Sequence, residues 1–184
     1  CLEVFEWAKF RKHKGGIKIH TLYDIEAQVP AFFDITTASI NDIKALPEIP
    51  YEKGAYYIFD RGYNDFSNLF KIEQIESTFV VRAKKNLKFK QTSWKRRLPK
   101  NVLSDSTIEF TVYKSSKDYP IPLRRVVHYD EEQDRTFVFL TNNFILPALI
   151  VAELYRNRWS IELFFKWLKQ RLKIKKFWGT SENA

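Results

Sequence analysis

Alternating and periodic apolar positions divide the first third of the chain into short elements. Residues 17–23 alternate between Ile, Thr or Tyr on one face and Lys, His or Leu on the other, directly after a Gly-Gly breaker, which is typical of a strand. Residues 32–37 are predicted to form a second strand. Residues 39–46 are predicted to form a short helix that ends before Pro47. The pattern therefore predicts a hairpin followed by a helix.

The next apolar runs predict a pair of parallel strands. Residues 55–59 form a compact apolar run that fits a buried strand, and this strand would end at Asp60. Residues 65–75 have helical periodicity with Asp65 as the N-cap, and residues 78–83 return to a strand pattern. Because two strands joined through a helix usually run parallel, we expect Asp60 at the carboxyl edge of a small sheet, where α/β proteins place their sites.

The remainder of the chain changes from β-rich to helical. Residues 108–113, 123–129 and 136–141 are predicted strands separated by polar turns. Residues 148–178 follow Pro147 and contain neither Gly nor Pro, so the apolar period over this stretch predicts one long helix. We therefore expect a β-rich segment followed by a long helix.

Positive charge is clustered along the chain. The 184 residues include 31 Lys and Arg against 22 Asp and Glu, a net charge of +9. Most of the excess lies in residues 9–18, 77–104 and 156–176, and Glu162 is the only acid in those three blocks. Clustered cations attract a polyphosphate backbone through counterion release, so DNA or RNA is the predicted partner. An anionic membrane is a weaker candidate, because no block combines a strong apolar face with a wholly basic one.

Cysteine and histidine content excludes several other classes. A lone cysteine, Cys1, excludes an internal disulfide framework, and the three His lack metal-site spacing. No signal peptide and no apolar run of membrane-spanning length is present, so we expect a cytoplasmic location. The chain contains no Met and begins within an apolar pattern, so we expect it to be a piece of a longer protein.

Four residues near the C-terminus carry the strongest candidate chemistry. In one continuous helix, Tyr155, Arg158, Glu162 and Lys169 would fall within roughly 60° of arc at about 100° per residue. A carboxylate flanked by cations and a phenol suits a metal-bound phosphodiester, because the acid can ligate a hard cation while its neighbours hold phosphate oxygens. Lys166 would lie near the same face. The alternative is an ordinary solvated helix face.

The spacing of these residues resembles the Tyr-Arg-Glu-Lys signature of the insertion sequence 4 family of bacterial DDE transposases. Asp60-Arg61-Gly62-Tyr63 resembles the second-aspartate motif of that family, although an Asp before a Gly turn is often only structural. The resemblance implies an α/β, ribonuclease H-like fold. We expect this fold to be truncated at its N-terminal strand and to carry a β-rich insertion before the last acidic helix. Its parts would be residues 1–83, an insertion at 84–146, and residues 147–184 carrying Glu162.

The same resemblance implies an activity and a set of site residues. Members cleave DNA at transposon ends with Mg²⁺ or Mn²⁺ and transfer the strand into target DNA, and Asp60 and Glu162 would be the catalytic metal ligands. Tyr155, Arg158 and Lys169 would contact DNA phosphates, and Lys166 would extend that track. Double-stranded DNA would be the partner of a homodimer associated with the bacterial nucleoid.

Two of these DNA-binding assignments have structural alternatives. Trp94 lies within a basic block and resembles an insertion-domain Trp that relatives place near a flipped base, but it would also fit a small β core. Tyr155 would equally fit a half-buried helix aromatic. These alternatives stay open on the sequence alone.

The family's first catalytic Asp has no counterpart in the sequence. It would lie upstream of residues 5–11, and Asp24 and Asp34 fit turn or edge acids better than substitutes for it. We therefore expect residues 1–184 to be inactive alone. The alternatives are a ribonuclease H-like nuclease without strand transfer and a non-catalytic DNA-binding remnant.

Overall fold

The computed structural model describes residues 9–11, 14–15 and 17–171, with side chains described from residue 17 onward. The strands are β1 (Lys9–Arg11), β2 (Lys14–Gly15), β3 (Ile17–Asp24), β4 (Val29–Thr37), β5 (Tyr56–Phe59), β6 (Thr78–Arg82), β7 (Phe89–Trp94), β8 (Val102–Phe110), β9 (Leu123–Asp130) and β10 (Arg135–Thr141). The α-helices are α1 (Phe66–Gln74), α2 (Tyr113–Asp118), α3 (Ala148–Arg156) and α4 (Trp159–Arg171), and Asp42–Glu48 and Arg61–Tyr63 are 3-10 helices. The chain divides into two compact units, Tyr51–Arg158 and a second formed by Cys1–Pro50 with Trp159–Ala184.

The second unit contains the predicted hairpin. β3 and β4 pair antiparallel over their whole length, which confirms the strands predicted at 17–23 and 32–37. On the inner side of the hairpin, the buried His20 bonds Thr36 through Nε2 at 2.9 Å. Within the same unit, the ring of Tyr23 lies 5.3 Å from that of Phe164 on α4. This contact packs the hairpin against the helix.

The predicted helix at 39–46 is a 3-10 helix, Asp42–Glu48. Asn41 caps it by accepting from the Ile43 N–H at 3.2 Å. Pro47 lies inside the helix instead of after it. Because Pro47 has no N–H to donate, it adds no helical hydrogen bond to the last turn, and the helix ends one residue later.

A six-stranded sheet forms the centre of the Tyr51–Arg158 unit, in the order β5-β6-β10-β9-β8-β7. The β5 and β6 strands are parallel, as predicted from the strand-helix-strand pattern, and all other neighbours in this sheet are antiparallel. The connecting α1 begins as predicted, because Asp65 accepts from the Asn68 N–H at 2.9 Å. The protein is thus a mixed α/β protein with a mostly antiparallel sheet.

Helices cover both faces of this sheet. The ring of Phe79 on β6 packs against that of Tyr119, immediately after α2. The ring centroids of Phe66 on α1 and Phe110 on β8 lie 4.2 Å apart. The neighbouring residue on β6, Val80, points to the opposite face and packs in a buried cluster with Val151 of α3. The alternation along β6 therefore divides the core into an α1 and α2 side and an α3 side.

The prediction of one continuous helix over residues 148–178 is wrong. Helix α3 ends at Arg156 and α4 begins at Trp159, and the turn between them closes when the Arg158 N–H donates to the Tyr155 carbonyl at 3.1 Å. No Gly or Pro marks this break in the sequence. The argument that one helix presents all four signature residues on one face therefore fails. The predicted residues 172–178 lie outside the described residues.

The β-rich segment also differs from its prediction. β8 begins at Val102 and ends at Phe110, and Tyr113 begins α2 instead of ending a strand. β7 was not predicted. Because β10 pairs with β6, the strands of this segment continue the sheet that contains β5 and β6. The domain boundaries at 83 and 146 stay a prediction.

Among the described residues, no helix combines the length and the apolar character that crossing a membrane requires.

Candidate nucleic-acid processing site

Asp60 lies at the carboxyl end of β5, as the sequence predicted. The strand is fixed by Tyr57 and Phe59, which are both buried, and the chain then turns into the 3-10 helix Arg61–Tyr63. The Asp60 side chain does not cap this helix. An Asp before a turn often caps the helix that follows, and this carboxylate makes no such cap bond.

Two residues that the sequence did not single out fix the surroundings of Asp60. The parallel register pairs Phe59 with Val81, so Arg82, the last residue of β6, lies at the level where Asp60 follows β5. The buried Asn64 donates to the Arg61 carbonyl at 2.9 Å and to the Arg82 carbonyl at 2.7 Å. Asn64 thus ties the turn after β5 to the end of β6.

Tyr155 binds Asp60 directly. Its hydroxyl donates to Asp60 Oδ1 at 2.8 Å, although the two residues are 95 positions apart in sequence. Tyr155 is 6% exposed, and its ring centroid lies 4.8 Å from that of Phe139 and 6.0 Å from that of Phe137. Tyr155 is therefore an anchored core residue on α3 whose polar end reaches the strand edge.

The carboxyl group of Asp60 is held in its ionised form. Burial by itself raises the pKa of Asp60, but the adjacent backbone N–H of Arg61, the Tyr155 hydroxyl and the charges of Arg158 and Arg82 outweigh burial and lower the pKa. In return, burial and the bond to Asp60 raise the pKa of the Tyr155 phenol. The site therefore contains an anionic oxygen acceptor beside two guanidinium groups.

The donor chemistry at Asp60 suits a hard divalent cation, because ionised carboxylate oxygens are the ligands that Mg²⁺ prefers. Over the described ranges, no group of three or more His, Cys, Asp or Glu side chains could hold a metal ion. Asp60 thus fits as one ligand of such an ion, and the described part of the chain does not supply a full ligand set around it.

Helix α4 brings together three of the predicted site residues. Glu162, Lys166 and Lys169 line an open groove on this helix together with Phe165 and Gln170. Lys166 and Lys169 are exposed and Glu162 is half-buried. Along this helix, two cations that can bind an anionic ligand lie beside an acid that can bind a cation.

Trp94 ends β7 with 63% of its surface exposed, so it is not a core residue of the β-rich segment. It borders a small cavity of about 110 Å³, whose other lining residues are Ser93, Lys95, Asp105, Ser106, Thr107, Arg124 and Phe144. The Ser106 hydroxyl is buried there and has no hydrogen-bond partner among the described residues. An exposed ring beside a polar cavity is available for stacking.

The basic segment around β7 contains both paired and unpaired cations. Lys90 pairs with Glu109 at 2.7 Å, and Lys100 pairs with Glu131 at 3.1 Å. Lys84 is exposed and donates to the Asn64 carbonyl at 3.4 Å. Four other cations of residues 84–100 are exposed and form no ion pair with a described acid: Lys85, Lys88, Arg96 and Arg97. Unpaired surface cations are the ones free to neutralise an external phosphate.

The structure groups the predicted site residues in two sets, one in each unit. Asp60, Tyr155 and Arg158 lie together in the Tyr51–Arg158 unit, where the Arg158 guanidinium is 5.6 Å from the Tyr155 ring. Glu162, Lys166 and Lys169 lie on α4 in the other unit. Asp24 is a turn acid as predicted, since it accepts from the backbone N–H groups of Glu26 and Ala27.

Sequence reasoning missed Arg82 and Asn64. The predicted strand at 78–83 would have given Arg82 a place at the same edge as Asp60 if the register had been known. No sequence signal identified Asn64, because its two partners are backbone carbonyls.

Comparison with known proteins gives relatives along almost the whole chain. A protein of Sinorhizobium fredii that bears the provisional name transposase y4zB is 38% identical over 183 residues, which is 97% of this chain and 51% of that protein. A protein of Geobacillus stearothermophilus, provisionally named the transposase for insertion sequence element IS5377, is 30% identical over 179 residues, which is 97% of this chain and 47% of that protein. The chain thus spans about half the length of these curated relatives.

The family comparison agrees with these relatives. A more distant protein of Synechocystis, provisionally named the transposase for insertion sequence element IS4SA, is 24% identical over 135 residues, or 69% of this chain and 35% of its own length. The family model described as "Transposase DDE domain" matches residues 5–184. Because this model matches almost the whole chain and two curated relatives are at least 30% identical along 97% of it, the chain belongs to the transposase DDE domain family.

Proposed function

We propose that this chain contributes two catalytic acids, Asp60 and Glu162, to a transposase that cleaves DNA at transposon ends and joins the freed strand to target DNA. The observation that carries the proposal is the Asp60 carboxylate, which is ionised, fixed by Tyr155 and flanked by Arg82 and Arg158. Family membership supplies the reaction class. The roles of the individual residues are our inference.

A ribonuclease H-like core is the fold we propose for this catalytic part. The parallel pair of β5 and β6, with α1 between them and Asp60 at the carboxyl end of β5, supports this assignment. The Tyr-x2-Arg-x3-Glu-x6-Lys spacing of Tyr155 to Lys169 supports membership in the insertion sequence 4 group.

The proposed chemistry uses each residue for a separate task. Asp60 and Glu162 would hold Mg²⁺ or Mn²⁺, which when bound activates an attacking oxygen and stabilises the leaving one at a phosphodiester. Arg158 is suited to bidentate contact with a phosphate, whereas Lys166 and Lys169 act as point charges on α4. The Asp60 carboxylate stays ionised despite its partial burial, because its neighbours lower its pKa, and it can bind a cation without first losing a proton.

Contacts to DNA outside the acids complete the proposal. Trp94 offers an exposed ring for a base, and the unpaired cations of the β7 segment offer charge to the backbone. A homodimer on paired DNA ends and association with the nucleoid stay predictions.

Cleavage of a plasmid that carries the transposon ends tests the proposed function. We expect Mg²⁺-dependent nicking and joined products from a protein extended upstream of residue 1, and their loss in its Asp60→Asn and Glu162→Gln variants. Residues 1–184 alone should give no product. Nicking without joined strands would support a ribonuclease H-like nuclease instead, and retained cleavage in both variants would refute the proposed acids.

DNA binding by the chain itself gives a test that does not depend on cleavage. Arg158→Ala should weaken binding to transposon-end DNA and reduce the salt slope of log K by about 0.9, the value for one phosphate contact. Arg156→Ala is the matched control, because it removes the same charge two positions away in the sequence. Equal slopes for both variants would contradict a phosphate contact at Arg158.

A further inference from the structure

We infer that Tyr155 is a positioning residue whose phenol orients the Asp60 carboxylate, and that it does not hold a DNA phosphate. The inference deepens the proposed function and rests on it only for the role of Asp60 as a metal-binding acid. The hydrogen bond itself can be tested without DNA or metal.

The geometry gives the Tyr155 ring very little freedom. It is packed against Phe139 and Phe137 on β10, and only 6% of its surface is exposed. The ring belongs to the same buried cluster as Val80 and Val151. A side chain locked by this packing presents its hydroxyl at a fixed point, and Asp60 Oδ1 lies 2.8 Å from it.

The single proton of the Tyr155 phenol can serve either to orient Asp60 or to hold a DNA phosphate, but not both at once. A tyrosine hydroxyl has one proton to donate, and here it donates that proton to Asp60. A phosphate diester has only acceptor oxygens, so the hydroxyl cannot bind one without releasing the carboxylate. With the ring buried, the cation beside it, Arg158, is the better placed group for a phosphate.

The bond has a consequence for how Asp60 is used. A donor on Oδ1 restricts rotation of the carboxylate and leaves both lone pairs of Oδ2 and one of Oδ1, so the carboxylate presents its free lone pairs to a cation in a set direction. The same bond connects the end of β5 to the last turn of α3. Tyr155 therefore fixes both the direction of the acid and the distance between these two elements.

A double-mutant cycle tests this contact. Tyr155→Phe, Asp60→Ala and the double variant are unfolded with urea, and we expect a coupling of about tenfold in the unfolding equilibrium constant, which corresponds to about 1.4 kcal/mol. Tyr57→Phe is the matched control. Tyr57 is also 6% exposed and its hydroxyl also has a bond, accepting from the Glu52 N–H, so its effect should add to that of Asp60→Ala without coupling.

NMR gives a readout that a merely structural role of the ring would not change. The carboxyl ¹³C resonance of Asp60 should shift in Tyr155→Phe and stay in place in Tyr57→Phe. If Tyr155→Phe fails to fold, hydrogen exchange of the wild-type chain and of Asp60→Ala tests the bond instead. The Tyr155 hydroxyl proton of the wild-type chain should exchange slowly with water, and this protection should be lost in Asp60→Ala.

Binding of transposon-end DNA in EDTA separates the two roles of Tyr155. We expect Tyr155→Phe to bind within twofold of the wild-type chain. A coupling near unity, with no ¹³C shift, would overturn the inference, and a tenfold loss of DNA affinity would assign the hydroxyl to a phosphate instead. If the wild-type chain binds no such DNA, the proposed function fails while the coupling result still decides the positioning role.

Discussion

Asp105→Ala removes the carboxylate that neutralises a buried guanidinium. Arg124 is 1% exposed, and its Nε and Nη2 each donate to Asp105 at 2.7 Å. Removing one partner of a buried ion pair costs about 3–5 kcal/mol, because the remaining charge is left uncompensated. Arg124 Nη1 keeps its bonds to the carbonyls of Asn143 and Leu146, so we expect a loss at the lower end, about 3 kcal/mol.

Urea unfolding followed by circular dichroism measures this loss. With slopes of about 1–3 kcal/mol per molar urea for small proteins, the midpoint should fall by about 1–3 M. Lys53→Ala is the control, because Lys53 and Glu76 also pair at 2.7 Å but both side chains are 72% exposed. That change should cost less than about 1 kcal/mol. Equal losses in the two variants would refute the argument that burial makes the Asp105 pair costly to break.

The same pair should give a pH dependence. Burial raises the pKa of Asp105, but Arg124 and Lys95 outweigh burial, so its pKa in the folded protein is lower than in the unfolded chain. The ionised Asp105 therefore contributes its full stabilisation above the unfolded pKa of about 4, and this contribution is lost as the pH falls through the lower pKa of the folded protein. Urea midpoints at pH 7 and pH 3 should therefore differ less in Asp105→Ala than in the wild-type chain. The double variant Lys85→Ala with Lys88→Ala should reduce the salt slope of log K for DNA binding by up to about 1.8. The double variant Lys90→Ala with Lys100→Ala, which removes two ion-paired cations, should reduce the slope less, as binding titrations at several salt concentrations would show. Trp94→Ala should weaken binding of single-stranded DNA without changing the urea midpoint, since the Trp94 ring is largely exposed.

Elements with strong local signals could be predicted from the sequence. β5 is a compact apolar run, α1 has an Asp65 cap and a helical period, and β6 is buried on both faces. These features depend on neighbouring residues and on burial, which the sequence expresses directly. The position of Asp60 at a strand end followed from them.

Features that depend on distant contacts could not be predicted in this way. The bond between Tyr155 and Asp60 joins residues 95 positions apart, and the break between α3 and α4 has no Gly or Pro to announce it. β7 was missed for a different reason. Five of its six residues are exposed, so its sequence, FKQTSW, lacks the alternation that one buried face imposes.

The position of β7 has a consequence for how copies of this chain meet. It is the terminal strand of the sheet among the described residues, so its outer backbone groups could pair with a strand of another molecule. Lys88 and Lys90 would then be brought close to the same charges on the second copy, and like-charge repulsion opposes such pairing. The charge that we propose attracts a polyphosphate to this edge, that of Lys88, therefore also opposes edge-to-edge aggregation.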